Sequence, residues 1–239
     1  EKLGRILIMS DAAHSVGAFY NGDRTGCLTD ITVFSFHAVK NLTTAEGGAV
    51  CFNLPEPFDC DKIYSEFNIK SLHGQSKDAL AKTQIGNWKY DVIEPGYKCN
   101  MTDIQAAIGL IELGRYESNL NRRKEIFNKY ISGFNSLNWA IMPPFNEEGK
   151  EASYHLFLLR IKNIDELTRD AIMQKIFESG VSVNVHFQPL PMLTAYKKEG
   201  YKMSDYPVAW SKYENEITLP VYYNLTNDNV ETIINVVIN

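Results

Sequence analysis

Three features of the sequence predict an α/β fold in two domains. Short apolar runs of strand length occupy the first part of the chain, and helical periodicity takes over after residue 100. A stretch near 135–150, carrying Pro143, Pro144 and Gly149, then breaks the pattern before a second region that alternates strand and helix signals. This reading divides the chain into 1–135 and 136–239. The length of 239 residues agrees, since about 150 residues per domain allows one large domain or one and a half.

The first strand signal is Arg5 to Met9, a nearly continuous apolar run of the kind covered on both faces of a sheet. It ends in Ser10-Asp11-Ala12-Ala13-His14. The second, Ile31 to Phe36, is rich in β-branched and aromatic residues. The third, Gly48 to Phe52, is introduced by Gly47-Gly48, and a polar connection from His37 to Gly47 precedes it. Residues 54–99 read as irregular because Pro55, Pro57, Gly74, Gly86, Pro95 and Gly96 interrupt them.

Thr102 with Gln105 forms a capping box, behind which Met101, Ile104, Ile108 and Ile111 recur at helical spacing. A second helix is expected over about 118–134. Tyr116, Leu120, Phe127, Ile131 and Phe134 form its apolar side, and Asn121, Arg122, Lys124 and Glu125 face water. Tyr154 to Ile161 reads as a strand. Leu167 and Ile172 staple a helix capped by Thr168 and stopped by Gly180. Val181, Val183, Val185 and Phe187 alternate as a strand. Leu225 and Val230 staple a last helix around Thr226, with the stripe Val230, Ile233, Ile234 and Val237.

Composition narrows the function classes. Apolar residues make up 44 % and charged residues 22 % of the chain, ordinary globular values that exclude disorder as its main character. The 24 basic against 29 acidic side chains give a net charge of −5, which argues against a general binder of nucleic acid. No apolar run approaches the roughly 18–20 residues of a membrane span, and no secretory leader is recognised. Cys27, Cys51, Cys60 and Cys99 include no C-x-x-C pair and read as reduced thiols in the cytoplasm. Glu1 is not an initiator methionine and the apolar run begins soon after it, so residues N-terminal to Glu1 are expected to be missing.

Two loops leave the C-terminal ends of apolar strands, where open α/β sheets bind ligands. One carries Asp11 and His14; the other follows Ser35 and carries His37 and Lys40. A lysine amine, a carboxylate and a hydroxyl together suit pyridoxal phosphate. Its aldehyde needs the amine, its ring nitrogen needs an anion, and its phosphate needs hydroxyl and N–H donors. Taken singly the same residues have plainer readings. Lys40 is then a surface charge, Asp11 a turn former, Ser35 a small residue facing a helix, and His14 and His37 structural histidines. Two histidines without a third ligand make a poor metal site.

The ordered wording is more specific. Ser10-Asp-Ala-Ala-His-Ser-Val-Gly17 and Phe34-Ser-Phe-His-Ala-Val-Lys-Asn-Leu-Thr-Thr-Ala-Glu-Gly-Gly48 resemble the two signature blocks of the DegT/StrS-type sugar aminotransferases. The resemblance continues through Pro95-Gly-Tyr-Lys-Cys-Asn-Met-Thr-Asp-Ile-Gln-Ala-Ala-Ile-Gly109, His155-Leu-Phe157, Val185-His186-Phe187, Leu219-Pro220 and Leu225-Thr226, nearly the whole chain. It implies a fold-type I enzyme dependent on pyridoxal 5′-phosphate, with this chain supplying part of the large mixed-sheet domain and the small C-terminal α/β domain. Family members carry a longer N-terminal segment with further cofactor contacts; it is not among these 239 residues, and the chain is expected to be a piece of a longer polypeptide.

By the same resemblance Lys40 is the Schiff-base lysine and proton shuttle. Asp11 holds the pyridinium nitrogen, His14 contacts the ring hydroxyl region, and Ser35 binds the cofactor phosphate. Lys98 and Asn100 are the polar side chains of a loop that reaches the cofactor phosphate of a neighbouring subunit, which implies a homodimer. His186 lies where the family lines its sugar-nucleotide pocket. The implied reaction is amino transfer from glutamate to a nucleotide-linked keto-sugar. Relatives that are sugar dehydratases carry His at the lysine position, so Lys40 favours the aminotransferase. A non-catalytic or regulatory protein of the same fold is the alternative from another class.

Overall fold

The computed structural model describes residues 3–76, 89–145 and 147–239. The strands are β1 (Met9–Asp11), β2 (Phe19–Tyr20), β3 (Asp23–Arg24), β4 (Ile31–Ser35), β5 (Gly48–Phe52), β6 (Ala140–Ile141), β7 (Lys150–Glu151), β8 (Phe157–Ile161) and β9 (Glu216–Leu219). The helices are α1 (Cys60–Ser71), α2 (Asp103–Gly114), α3 (Tyr116–Phe134), α4 (Glu166–Glu178), α5 (Thr194–Lys198), α6 (Pro207–Tyr213) and α7 (Asn227–Ile238). Two compact units result. One comprises Glu1–Tyr116 with Gly149–Ser153, the other Glu117–Glu148 with Tyr154–Asn239. This contact-based division differs from the 135/136 division read in the sequence, because α3 packs with the second unit and the β7 segment pairs with the first.

The first unit contains a sheet of order β1-β4-β5, with β1 parallel and β5 antiparallel to β4. Strands 31–36 and 48–52 appear where the sequence places them, the former ending one residue early. The first strand does not. It begins at Met9 rather than Arg5, and Ile6, Ile8 and Met9 are exposed instead of covered on both faces. The cause is Asp30. Its carboxylate accepts from the Arg5 guanidinium at 2.5 and 2.6 Å and from the Ile8 N–H at 2.9 Å, so that donor is taken by a side chain instead of a strand ladder. The Arg5 guanidinium holds the Asp30 carboxyl at about 2, below the ordinary carboxylate range.

A helix also stands where irregular chain was expected. Asp59 caps α1 by accepting from the Lys62 N–H at 3.0 Å, although none of the helix's described residues is buried. Of the irregular span read at 54–99, residues 77–88 lie outside the described residues. The capping box at Thr102 forms as expected, with Gln105 N–H on Thr102 Oγ1 and Thr102 N–H on Gln105 Oε1. Yet the apolar residues of α2 are uncovered: Ile104 is 77 % and Ile111 71 % exposed. A second small sheet, β3-β2-β7, joins residues 19–24 to 150–151.

The second unit is built on the antiparallel sheet β6-β8-β9. Phe157, Leu159 and Ile161 alternate into its core along β8, three residues being trimmed from the N-terminal side of the strand that the sequence suggests. α3 supplies Ile126, Phe127, Tyr130 and Phe134, all essentially inaccessible. The Phe127 ring meets Phe157 edge-on at 5.2 Å, and Tyr130 meets it at 4.9 Å. Gly133 lets α7 come close, since a Cβ there would stand 2.9 Å from Ile234. Arg122, expected in water, is half-buried and donates to the Leu225 carbonyl and to Asn227.

Two further elements differ from expectation. α4 is capped by Asp165, which accepts from the Thr168 N–H at 2.9 Å, so the helix starts before the expected cap at Thr168. Gly180, at φ +80°, follows its end as expected. Residues 181–187 form no strand. Val181 and Val183 are buried, but pairing is confined to a single bridge in which Asn184 and Thr218 exchange both backbone hydrogen bonds. Thr226 caps α7 as expected, and Val230 and Ile233 are buried.

Candidate functional site

Parallel pairing places Asp11 beside Val33, so Asp11 and Ser35 share one face at the C-terminal edge of neighbouring strands. The Asp11 carboxylate accepts from the Ala13 N–H at 3.1 Å, which turns the chain away from the sheet. Ser35 Oγ accepts from the His37 N–H at 3.3 Å and keeps its own proton for another acceptor. Gly48 faces Ser35 across the ladder and must be glycine, because a Cβ would lie 2.5 Å from the Phe34 carbonyl oxygen.

The connection from His37 to Gly47 is a fixed loop. Phe36 N–H donates to the Gly47 carbonyl at 2.8 Å and Thr44 N–H to the Phe36 carbonyl at 2.9 Å. Lys40 N–H donates to the His37 carbonyl at 2.9 Å, a one-turn geometry that holds the Lys40 backbone. Lys40 itself is half-buried, and its Nζ has no hydrogen-bond or ion-pair partner among the described residues. His37 Nε2 lies 3.6 Å from the exposed Glu46 carboxylate.

Ser153 ties this loop to the one after β1. The buried Asn41 donates from Nδ2 to the Ser153 carbonyl at 2.6 Å, and the Ser153 hydroxyl donates to the His14 carbonyl. The residue next to Lys40 and the residue three beyond Asp11 are therefore fixed to one another. Tyr116 adds a third anchor by donating from its hydroxyl to the Val16 carbonyl. The sequence reading missed Ser153, which stands 139 positions from His14 and carries no local signal. Asn41 could have been noticed, as a polar residue directly after the lysine.

Lys98 and Asn100 join the edge of this arrangement. With Glu46, Gly47, Gly48 and the first turn of α2 they line a cavity of about 430 Å³. Lys98 Nζ donates to Asn100 Oδ1, and Gln105 Nε2 donates to the Glu46 carbonyl at 2.8 Å. The first unit thus gathers Asp11, His14, Ser35 and Lys40 on two loops tied together, with Lys98 and Asn100 beside the end of the lysine loop. His186 is in the second unit, half-buried, with its Nδ1 2.9 Å from Thr218 Oγ1. Among the described residues no cluster of His, Cys, Asp or Glu fits a metal ion. No described helix is long and apolar enough to cross a membrane. The four cysteines are free.

The donor set fits pyridoxal phosphate. It offers an amine with no hydrogen-bond or ion-pair partner among the described residues, a carboxylate at a strand end and a hydroxyl with its proton available, on one sheet edge and its loop.

Comparison with known proteins agrees with this chemistry. The chain is 41 % identical over 236 residues to the uncharacterized protein MJ1066 of Methanocaldococcus jannaschii, covering 97 % of this chain and 59 % of that protein. It is 35 % identical over 236 residues to the spore coat polysaccharide biosynthesis protein SpsC of Bacillus subtilis, with the same shares of 97 % and 59 %. Among solved structures it superposes on Spr1654 of Streptococcus pneumoniae, assigned as a sugar aminotransferase. That PMP-form match has a TM-score of 0.91 at 47 % identity, over 98 % of this chain and 58 % of the other. The chain therefore spans about three-fifths of the length of these relatives. Residues 2–238 match the DegT/DnrJ/EryC1/StrS aminotransferase family, and the chain belongs to that family, with its fold-type I architecture.

Proposed function

We propose that this family member carries the lysine-bearing part of a pyridoxal 5′-phosphate-dependent sugar aminotransferase. Glutamate is the proposed amino donor, and a nucleotide-linked keto-sugar on a route to a polysaccharide or related sugar is the acceptor. The observation that carries the reading is that Asp11 and Ser35 share one face at neighbouring strand ends, with Lys40 in the loop that follows β4 and the two loops tied by Ser153. Spr1654, solved in both PLP and PMP forms, and SpsC, named for polysaccharide biosynthesis, support it.

Bound at this edge, pyridoxal phosphate supplies an aldehyde for the amine and an electron-withdrawing ring. Lys40 Nζ would be the amine that holds the aldehyde, and as a free amine it would take a proton from the donor's α-carbon and return it. The Asp11 carboxylate would hold the ring nitrogen and keep it protonated. Ser35 would donate a hydrogen bond to the phosphate, and His14 would contact the region of the ring hydroxyl. Lys98 and Asn100 add a cation and an amide for the phosphate of a second copy, so the working assembly is a homodimer. His186 contacts the sugar nucleotide. The free cysteines suit a reducing compartment, and the cytoplasm is the proposed location.

Lys40→Ala tests the assignment. Removing a positioned acid–base group costs roughly 10²–10⁴-fold in rate, and loss of the anchoring amine as well should bring amino transfer from glutamate to background. Retained transfer in the Lys40→Ala chain contradicts the role given to Lys40.

A further inference from the structure

We infer that Cys27 and Cys51 are an oxidation-sensitive pair, which a hydroperoxide converts to a disulfide that staples the segment carrying Ser35 and Lys40. The argument begins with the ladder. Thr32 lies opposite Cys51 in the β4–β5 pairing, so both side chains point to one face, the reverse of the face that carries Asp11 and Ser35. A 3₁₀ turn at Thr25–Cys27 lies over that reverse face. Thr32 Oγ1 donates to the Thr25 carbonyl at 3.4 Å. A Cβ at Gly26 would stand 3.4 Å from the Phe34 ring and 3.7 Å from Cys51 Sγ. The Cys27 carbonyl accepts from Asn53 Nδ2 at 2.9 Å, and Asn53 stands two residues beyond Cys51.

Cys27 is thereby held beside Cys51 from two sides. The residue before it packs on the Cys51 sulfur, and its own carbonyl is tied to the chain just past that sulfur. Cα atoms of the turn and of β5 approach within 8 Å, and a disulfide closes over Cα separations of about 4.4–6.8 Å. Burial raises the Cys51 thiol, and a charge on Cys27 raises it further, in keeping with two neighbouring sulfurs. The remaining cysteines lie elsewhere. Cys60 Sγ donates to the Leu54 carbonyl at 3.8 Å, and Cys99 stands in the chain before α2. The segment that a Cys27–Cys51 bridge would close contains β4, the lysine loop and most of β5.

Cys27 is exposed and Cys51 half-buried, so the oxidant reaches Cys27 first. The Cys27 thiolate attacks one peroxide oxygen. An S–O bond forms, the O–O bond breaks, and the departing hydroxide takes the thiol's proton to leave as water. The Cys51 thiolate then attacks the Cys27 sulfur of the sulfenic acid. The S–S bond forms, the S–O bond breaks, and the second hydroxide leaves as water with the Cys51 proton. Two electrons pass from the two thiols to the peroxide. In a reducing compartment both residues are thiols at rest, and the bridge forms when a hydroperoxide appears. Closing the loop restricts the unfolded chain, so the oxidised form resists unfolding more than the reduced one.

Hydrogen peroxide added to the whole reduced chain, followed by blocking of the remaining thiols and a digest without reductant, provides the test. The expected product has lost two hydrogens, its Cys27 and Cys51 peptides are linked, and Cys60 and Cys99 carry the blocking group. In Cys51→Ser the sulfenic acid on Cys27 persists and is captured by dimedone; Cys27→Ser gives no bridge. A bridge through Cys60 or Cys99, a Cys27–Cys27 link between two chains, or no bridge at all overturns the inference. Should the serine variants not fold, the digest of the unsubstituted chain decides alone. Urea unfolding supplies the second readout. The midpoint should rise on oxidation and return with dithiothreitol; an unchanged midpoint in the bridged chain overturns the staple. No cofactor or sugar enters the experiment, so failure of amino transfer bears on the proposed function and leaves this result standing.

Discussion

The two units hold their important residues by different means. In the second unit Phe127, Tyr130, Phe134, Phe157, Leu159, Ile217 and Val230 are almost fully buried, and the aromatic rings interlock. In the first, Thr32 is the largest fully buried side chain among the described residues, α2 has no buried residue, and Met9, Val33 and Val50 lie exposed on the face that carries Asp11 and Ser35. What keeps the chemical groups of the first unit in place is a set of hydrogen bonds to loop carbonyls: Ser153 to His14, Asn41 to Ser153, Tyr116 to Val16. One region is held by area removed from water, the other by polar ties around a short ladder. Mutations should therefore weigh differently in each.

The largest contrast is expected between Phe157→Ala and Val33→Ala. The first empties the centre of the aromatic cluster and should cost about 3–5 kcal/mol; the second, at a site 36 % exposed, should stay within about 1 kcal/mol. Urea unfolding measures both, and equal losses would erase the distinction between the units. Next comes Asn41→Ala. It leaves the buried Ser153 carbonyl without its 2.6 Å donor, a loss of about 1–3 kcal/mol, and should also weaken cofactor uptake at Lys40. Stability lost with cofactor uptake unchanged would separate Asn41 from the site.

The smallest effect concerns acid. Asp30 titrates at about 2 in the folded chain because Arg5 donates to it, against about 3.9 when unfolded. A depressed carboxylate stabilises above its unfolded value and loses that contribution as the pH falls toward the folded one. Unfolding midpoints of the native chain should therefore fall between about pH 4 and pH 2, and Asp30→Asn should flatten that part of the curve. An identical acid dependence in both would remove Asp30 from the account of how β1 begins.

The sequence made some of this visible and hid the rest for physical reasons. The strands at 31–35 and 48–52 were legible because β-branched and aromatic residues crowd into short runs. The Thr102 and Thr226 caps were legible because capping chemistry is local. α1 was hidden by its lack of a buried stripe. The strand expected at 181–187 was not formed, because alternation reports burial of Val181 and Val183 and says nothing of whether a partner strand runs alongside. The start of β1 was misjudged because Asp30, twenty-two residues on, takes the Ile8 donor. In the site, Asp11, Ser35 and Lys40 could be read from strand ends and motif wording. Ser153 could not, since it ties Asn41 and His14, each more than a hundred residues away in the chain, through hydrogen bonds that leave no local signal.

The central claim is that Lys40 is the amine that takes pyridoxal phosphate. The direct measurement is borohydride reduction of the intact chain after incubation with the cofactor, followed by peptide mass mapping. The account predicts the reduced cofactor's mass on the peptide containing Lys40, and its disappearance in Lys40→Ala. A cofactor mass on other lysines with Lys40 unmodified, or no adduct on any lysine, would contradict it.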